Sequence, residues 1–162
     1  MRFAVEADLP AIVAIYNSTV PTRQSTADTV EVSVASRLHW FRQHAPESRP
    51  LLVHEQGGTV AGWVSFQSFY GRPAYDHTAE VSIYISPEHR GQGLVRRLLT
   101  EALAMTHRLG IKTVVGFVFS HNEPSIRLLK SLGFSDWGKL PDVAAMDGRE
   151  YSLCILGKRV NP

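Results

Sequence analysis

The run Glu80-Val81-Ser82-Ile83-Tyr84-Ile85, Ser86-Pro87-Glu88-His89, Arg90-Gly91-Gln92-Gly93-Leu94-Val95 holds the residue types that could bind a phosphate. Val81, Ile83 and Ile85 alternate with Glu80, Ser82 and Tyr84, which predicts a strand. The spacing of Leu94, Leu98, Ala102 and Met105 predicts a helix directly after it, stopped by Gly110. A glycine-rich turn between strand and helix presents consecutive backbone N–H groups at the positive end of the helix dipole, where an anion is stabilised. Gly91 and Gly93 can take positive φ and admit an approach that a Cβ would block. Arg90 adds a guanidinium suited to phosphate oxygens. Two other phosphate loops do not fit, since a dinucleotide fingerprint needs glycine where Arg96 stands and no Gly-Lys-Ser/Thr occurs. Taken alone, the turn is equally compatible with glycines that serve only the geometry of a helix start.

The elements that must position this turn follow from the pattern on either side. Arg2 to Val5 reads as a short strand, Asp8 as a helix N-cap, and Leu9, Ile12, Val13 and Tyr16 as the buried face of that helix. Asn17 to Thr29 is polar and reads as a surface loop; a second helix follows Ser33, with Val34, Leu38 and Phe41 on one side, and Pro46 ends it. Leu51 to Gln56, Gly57-Gly58 and Thr59 to Phe69 read as a hairpin, because paired glycines suit the positive φ of a two-residue turn. Tyr70 to His77 is a loop, Thr113 to Phe119 an apolar strand covered on both faces, and Ser125 to Leu132 a helix closed by Gly133. Strands near Phe134 to Lys139 and Glu150 to Leu156 complete an α/β (α+β) order of β-α-α-β-β-β-α-β-α-β-β, a mixed sheet with helices on its faces.

A chain of 162 residues, 44% hydrophobic and 20% charged, suits one globular domain spanning 1–162. Its 17 basic and 15 acidic side chains leave a formal charge of +2, with no mark of a nucleic-acid or membrane-surface binder. One cysteine, Cys154, excludes an internal disulfide, and no apolar run has the length of a membrane span. The N-terminus carries no apolar leader, so the expected setting is cytoplasmic. His39, His44 and His54 show no metal-ligand spacing with acidic partners, and no metal is expected.

The run Arg90-Gly91-Gln92-Gly93-Leu94-Val95 resembles the pyrophosphate loop of the GNAT family of N-acetyltransferases, with Val95 departing from the final small residue. His121-Asn122-Glu123-Pro124-Ser125-Ile126-Arg127-Leu128 and Leu132-Gly133-Phe134 are similar to that family's second signature. Asp8 to Asn17, Thr26 to Thr29, Val32-Ser33-Val34, Ala61 to Val64, Phe69 to Tyr75 and Ala79 to Ile85 resemble its phosphinothricin and methionine sulfoximine acetyltransferase branch. The resemblance implies a mostly antiparallel sheet of six to seven strands with a splayed pair holding acetyl-CoA, and a homodimer. It implies cofactor contacts from Ser82, Ile83, Tyr84 and Ile85, a pyrophosphate on Arg90, Gly91, Gln92, Gly93, Leu94 and Val95, and pantetheine contact from Asn122. Ser125 either contacts the cofactor or caps its helix.

The implied reaction is acetyl transfer to the amino group of a small amino acid or analogue. An ammonium must first lose a proton, which a carboxylate of raised pKa can take; Glu80 is the candidate, an exposed ion-paired glutamate the alternative. Leu129 stands where many relatives carry Tyr and this branch His, so thiolate protonation falls to water, Tyr84 or His121. Arg72 is a candidate partner for the substrate carboxylate, Tyr75 and Phe69 for the pocket wall, while Trp63 suits the core. Acetylation of a protein N-terminus or lysine is the second reading, and a non-catalytic acyl-CoA sensor the third.

Overall fold

A computed structural model, which describes residues 1–161, realises these elements in the expected order. They are β1 (Arg2–Phe3), α1 (Leu9–Asn17), α2 (Val34–Arg42), β2 (Leu51–Gln56), β3 (Thr59–Ser68), β4 (Thr78–Ile85), α3 (Leu94–Met105), β5 (Thr113–Phe119), α4 (Glu123–Ser131), β6 (Ser135–Met146) and β7 (Arg149–Arg159). The strands form a seven-stranded sheet in the order β1-β2-β3-β4-β5-β7-β6. Only β4 and β5 pair in parallel. The β2–β3 hairpin turns through Gly57 and Gly58 at φ 62° and 78°, with Gln56 opposite Thr59.

Because side chains alternate along a strand, each face of the sheet acquires its own core. Val64, Phe66, Val81 and Ile85 pack with Leu98, Leu99 and Ala102 of α3 and Leu129 of α4. On the opposite face Trp63 packs against Ile12 and Ile15 of α1, with Trp40 and Phe41 of α2 at the edge. The same alternation turns Ser65, Gln67, Glu80, Ser82 and Tyr84 towards α1 and α2, a polar stripe in an otherwise apolar layer.

Several boundaries differ from the pattern-based expectation. The first strand ends at Phe3. Asp8 is already helical at φ −80° and ψ −17°, at the end of a 3-10 turn (Glu6–Asp8), and offers α1 no side-chain cap. Its carboxylate instead accepts from the Val5 N–H at 2.8 Å and pairs with the Arg2 guanidinium at 2.8 and 2.9 Å. Ser33 does cap α2, accepting from the Ser36 N–H. That helix buries none of its residues fully, and Val34 is 39% exposed. It stops at Arg42, before Pro46. The helix expected from Ser125 begins at Glu123 and is capped by Asn122. β6 runs on to Met146, because pairing slips between Leu140 and Ala144, with Asp142 at φ 53°, and then resumes to the Asp147-Gly148 turn. Pro141 and Asp142 disguise that continuation in the sequence.

Arg2 holds the Asp8 carboxyl below the usual carboxylate range, helped by the Val5 N–H against the opposing effect of burial. A depressed carboxylate stabilises the fold above its unfolded pKa of about 4, and the contribution disappears as pH falls towards the folded value. Asp8→Ala should therefore lower stability by about 1–2 kcal/mol at neutral pH, and by progressively less as pH falls below about 4, read by urea unfolding.

Candidate active site

The parallel pairing of β4 with β5 stops almost as soon as it starts. Thr78, Ala79 and Glu80 face Thr113, Val114 and Val115, and beyond them the strands part. β4 stays paired to β3 as far as Ile85. From Val81 onward its other edge therefore offers backbone N–H and C=O groups that no strand satisfies. Leu129 reaches over Gly116 at the point of divergence, where a Cβ on the glycine would lie 3.3 Å from its methyl carbon. The opening is a cleft of about 120 Å³ between Ser82, Ile83 and Tyr84 on one side and Phe117, Val118 and Phe119 on the other. Val95, Leu99, Leu128 and Leu129 close its inner end.

At the outer end lies the glycine turn. Gly91 and Gly93 adopt φ 74° and 73°. A Cβ at either would meet nothing within 4 Å, so the space above the turn is open. Gly93 brings no side chain to cap α3, which leaves the first N–H groups of that helix without a side-chain acceptor. The guanidinium of Arg90 is engaged elsewhere, donating to the Ile85 carbonyl at 3.2 Å and the Ser18 hydroxyl at 2.9 Å. Gln92 donates to the Glu88 carbonyl at 3.3 Å. What the turn offers an anion is therefore its backbone N–H groups, while Arg90 ties the turn to the end of α1.

The segment after α1 forms a roof, not the loose surface loop its polarity suggests. Thr19, Val20 and Thr26 are buried. The carbonyls of Arg23, Gln24 and Ser25 accept from His121 Nε2 at 2.7 Å, Asn122 Nδ2 at 3.2 Å and Tyr84 Oη at 3.1 Å. Tyr16 binds Thr26 and Asp28 through its hydroxyl, and Arg37 pairs with Asp28 at 2.8 Å while lying 4.9 Å over the Tyr16 ring.

Across β4 from the cleft, a second cavity of about 160 Å³ opens on the α1/α2 face, lined by Tyr16, Arg37, Trp40, Trp63, Ser65 and Gln67. Ser82 and Tyr84 line both spaces. Trp63 stacks on Tyr84 at 4.7 Å, and Trp40 meets Trp63 edge-on at 5.6 Å. Glu80 stands opposite Gln67 on the same face, two residues before Ser82, and itself lines neither cavity. Burial alone pushes its carboxyl above the usual range, with no hydrogen bond or charge contributing.

Of the residues singled out in the sequence, Ser82, Ile83, Tyr84, Val95, Asn122, Ser125 and Leu129 meet in the cleft. Ile85 and Leu94 point into the core at 5% and 6% exposure, so only their backbone can serve a ligand. Asn122 lines the cleft, but its amide is engaged at both ends, Oδ1 accepting from the Ser125 N–H at 3.4 Å and Nδ2 holding Gln24. Ser125 is thereby not the cap. His121 stacks between Phe119 and Tyr151 and lines neither space. Phe69 and Tyr75 pack edge-on at 5.4 Å beside exposed Arg72, on a loop beyond the end of the sheet that lines neither cavity. Arg37, Trp40, Gln24 and Ser25 escaped the sequence reading, and Tyr16 enters it only as part of a buried helix face. Ser65 and Gln67 carried a signal, polar residues at alternate positions of an apolar strand. Among the described residues no cluster of metal-ligating side chains occurs, and no helix is long and apolar enough to cross a membrane.

Residues 10–134 match the model of the acetyltransferase (GNAT) family. The chain is 51% identical to the YwnH protein of Bacillus subtilis (strain 168), over 99% of both chains. It is 35% identical to the L-methionine sulfoximine/L-methionine sulfone acetyltransferase of Salmonella typhimurium (strain LT2), covering 96% of this chain and 91% of the relative. A phosphinothricin acetyltransferase from Sinorhizobium meliloti, solved in complex with acetyl-CoA, superimposes with a TM-score of 0.92 at 29% identity, over 99% of this chain and 87% of that one. The splayed strands, the glycine turn and these likenesses define one class: the chain belongs to the GNAT acetyltransferase family. Within it, the chain falls in the branch of phosphinothricin and methionine sulfoximine acetyltransferases, enzymes that use acetyl-CoA.

Replacing both Gly91 and Gly93 with valine should abolish measurable acetyl-CoA binding by calorimetry, since positive φ is strained for a β-branched residue. Asn122→Ala removes a helix cap and one roof tether; it should cost about 1–2 kcal/mol in denaturant unfolding.

Proposed function

We propose that this protein acetylates the amino group of a small amino acid or analogue by direct transfer from acetyl-CoA. The observation that carries the reading is the convergence of two cavities on Ser82 and Tyr84, one on each side of β4. Acetyl-CoA supplies an activated thioester. The N–H groups of β4 beyond Glu80 are placed to hold its carbonyl and to stabilise the negative charge that gathers there when an amine adds. The acceptor amine would enter from the α1/α2 side, with Arg37 offering its remaining N–H groups to a carboxylate. Cys154, the only cysteine, lines neither cavity, which favours one-step transfer over an acyl-enzyme.

Glu80 takes the proton that the ammonium must lose. A new C–N bond forms as the C–S bond breaks, and the second proton lost by the nitrogen passes through water to the departing sulfur, so CoA leaves as the thiol. Burial pushes the Tyr84 phenol up and its hydroxyl is held by the Ser25 carbonyl, so Tyr84 positions the site without giving up its proton. Leu129 supplies no acid, and little is needed, because a thiol of pKa about 8.5 leaves readily as its anion. The small volume of the acceptor cavity, about 160 Å³, favours a small molecule over a protein N-terminus or lysine, and unpartnered Glu80 favours an enzyme over an acyl-CoA sensor. The exposed rings of Tyr70 and Tyr75, at 76% and 43% exposure and packed on half-buried Phe69, support a homodimer. A single cysteine and an acetyl-CoA co-substrate support a cytoplasmic setting.

Release of CoA thiol from acetyl-CoA across amino acids, analogues and peptides tests the reading; turnover confined to peptides would overturn it. Glu80→Gln should lower turnover by about two to four orders of magnitude at neutral pH. In the parent enzyme the acidic limb of kcat/KM should lie above the ordinary glutamate value of about 4.3, because the protonated form is no base; the variant should lack that limb. A raised carboxyl also works against folding once pH exceeds its unfolded pKa, since the folded state binds the proton more tightly. Glu80→Gln should therefore match or exceed the parent's melting temperature at neutral pH, whereas an ion-paired structural glutamate would give a loss.

A further inference from the structure

The roof over the cleft is held at one residue from several sides. Arg23 closes the short turn Val20–Thr22 and adopts φ 56° and ψ 23°. A residue other than glycine rarely takes the left-handed region, and persists there only where its surroundings over-determine it. Here they do. The Arg23 guanidinium forks onto the Asp147 carboxylate, Nε to Oδ2 at 2.8 Å and Nη2 to Oδ1 at 3.3 Å. Its Nη1 donates to the carbonyls of Val20 at 3.2 Å and Thr29 at 2.9 Å, which closes the roof segment on itself. The Arg23 carbonyl accepts from His121 Nε2 at 2.7 Å.

Both outside anchors lead to the β6–β7 hairpin. Asp147 and Gly148 form its turn at φ 52° and 75°, the positive values that a two-residue connection demands. The turn therefore presents the Asp147 carboxylate whether or not Arg23 is there to meet it. Tyr151 of β7 packs on the His121 ring, with 4.6 Å between centres. The hairpin thus reaches Arg23 directly at the guanidinium and through His121 at the carbonyl. Asp147 is exposed, and exposed ion pairs add little to stability. The consequence of this pair is geometric. Gln24 and Ser25 follow Arg23, line the cleft, and accept through their carbonyls from Asn122 and Tyr84. Rotation about the Arg23 backbone would withdraw both carbonyls together.

We propose that Arg23 is a positioning residue for acetyl-CoA: fixed by Asp147 and His121, it keeps Gln24 and Ser25 over the cleft, so that the β6–β7 turn sets the affinity for the acyl-pantetheine arm. A roof released from Asp147 spends part of its time displaced, and the apparent affinity falls with the fraction in place. The inference concerns the acetyl donor and does not depend on which amine accepts the acetyl group.

Two variants test it. Asp147→Asn removes the charge and keeps a residue suited to the turn, while Arg23→Met removes the fork. In calorimetry each should raise the Kd of acetyl-CoA about 3- to 10-fold. ADP has a pyrophosphate and no arm, so both variants should bind it as the parent does. Adding Asp147→Asn to Arg23→Met should cost nothing more, because the carboxylate acts through that guanidinium. At saturating acetyl-CoA kcat should stay within about twofold of the parent, the loss appearing in KM. Amide exchange at Gln24 and Ser25 should quicken in Asp147→Asn and slow again when acetyl-CoA saturates the protein. Unchanged acetyl-CoA affinity in either variant would overturn the proposal. So would equal losses for acetyl-CoA and ADP, which mark a general loss of structure, or a further loss in the double variant. The expected acetyl-CoA losses in a protein that acetylates no amino acid would overturn the acceptor reading and support this one.

Discussion

The early end of β4–β5 pairing is the constraint from which the rest of the structure follows. After Glu80 and Val115 the two strands have no partner on their facing edges. Unsatisfied backbone groups are tolerated only where water or a ligand reaches them. The fold keeps them accessible: α3 and α4 cover the cleft's inner end with aliphatic side chains, and the α1–α2 connection roofs it with carbonyls already engaged by His121, Asn122 and Tyr84. The strand edge and the start of α3 thus leave backbone donors unused at the opening.

A single strand can serve donor and acceptor because side chains and backbone leave it in different directions. The edge of β4 faces the gap, while Glu80, Ser82 and Tyr84 project towards α1 and α2. The cleft at the edge and the cavity on the α1/α2 face therefore both reach Ser82 and Tyr84 without crossing the core. Tyr84 joins the two spaces physically, stacked on Trp63 and hydrogen-bonded to Ser25. Tyr16, Asp28 and Arg37 tie the same roof to the acceptor wall. Ordering of the roof over one substrate is thus linked to the shape of the pocket for the other.

Elements governed by local chemistry were legible in the sequence. Gly57-Gly58 dictates its hairpin, Gly91 and Gly93 their turn, and the alternation through Glu80 to Ile85 its two faces, because each depends on φ or on a period of two. Features set by long-range partners were not. Asp8 looks like a cap until Arg2 and the Val5 N–H claim its carboxylate. Asn122 and Ser125 exchange roles because the helix starts two residues early, after Pro124 takes a first-turn position. Arg90 carries the charge that suggests phosphate binding, yet Ser18, far away in sequence, engages it. Arg37 and Trp40 sit on an unremarkable nine-residue helix, and nothing in their spacing announces a pocket.

The residues that define the site are also those the fold satisfies least. Glu80 is desolvated without a partner, and Ser65 is buried without a hydrogen bond. Each would be easy to improve by an apolar or paired replacement, and each such replacement would remove a group able to act on a ligand. The well-satisfied polar groups behave differently: Asp8, Asn122 and Arg90 lock a turn, a helix start and a loop. Position in the sequence does not separate the two sets, since Glu80 and Arg90 belong to one strand-and-turn run. The partner count does: a polar group with its partners already in the chain holds structure, while Glu80 and Ser65 are buried beside the cavities without any.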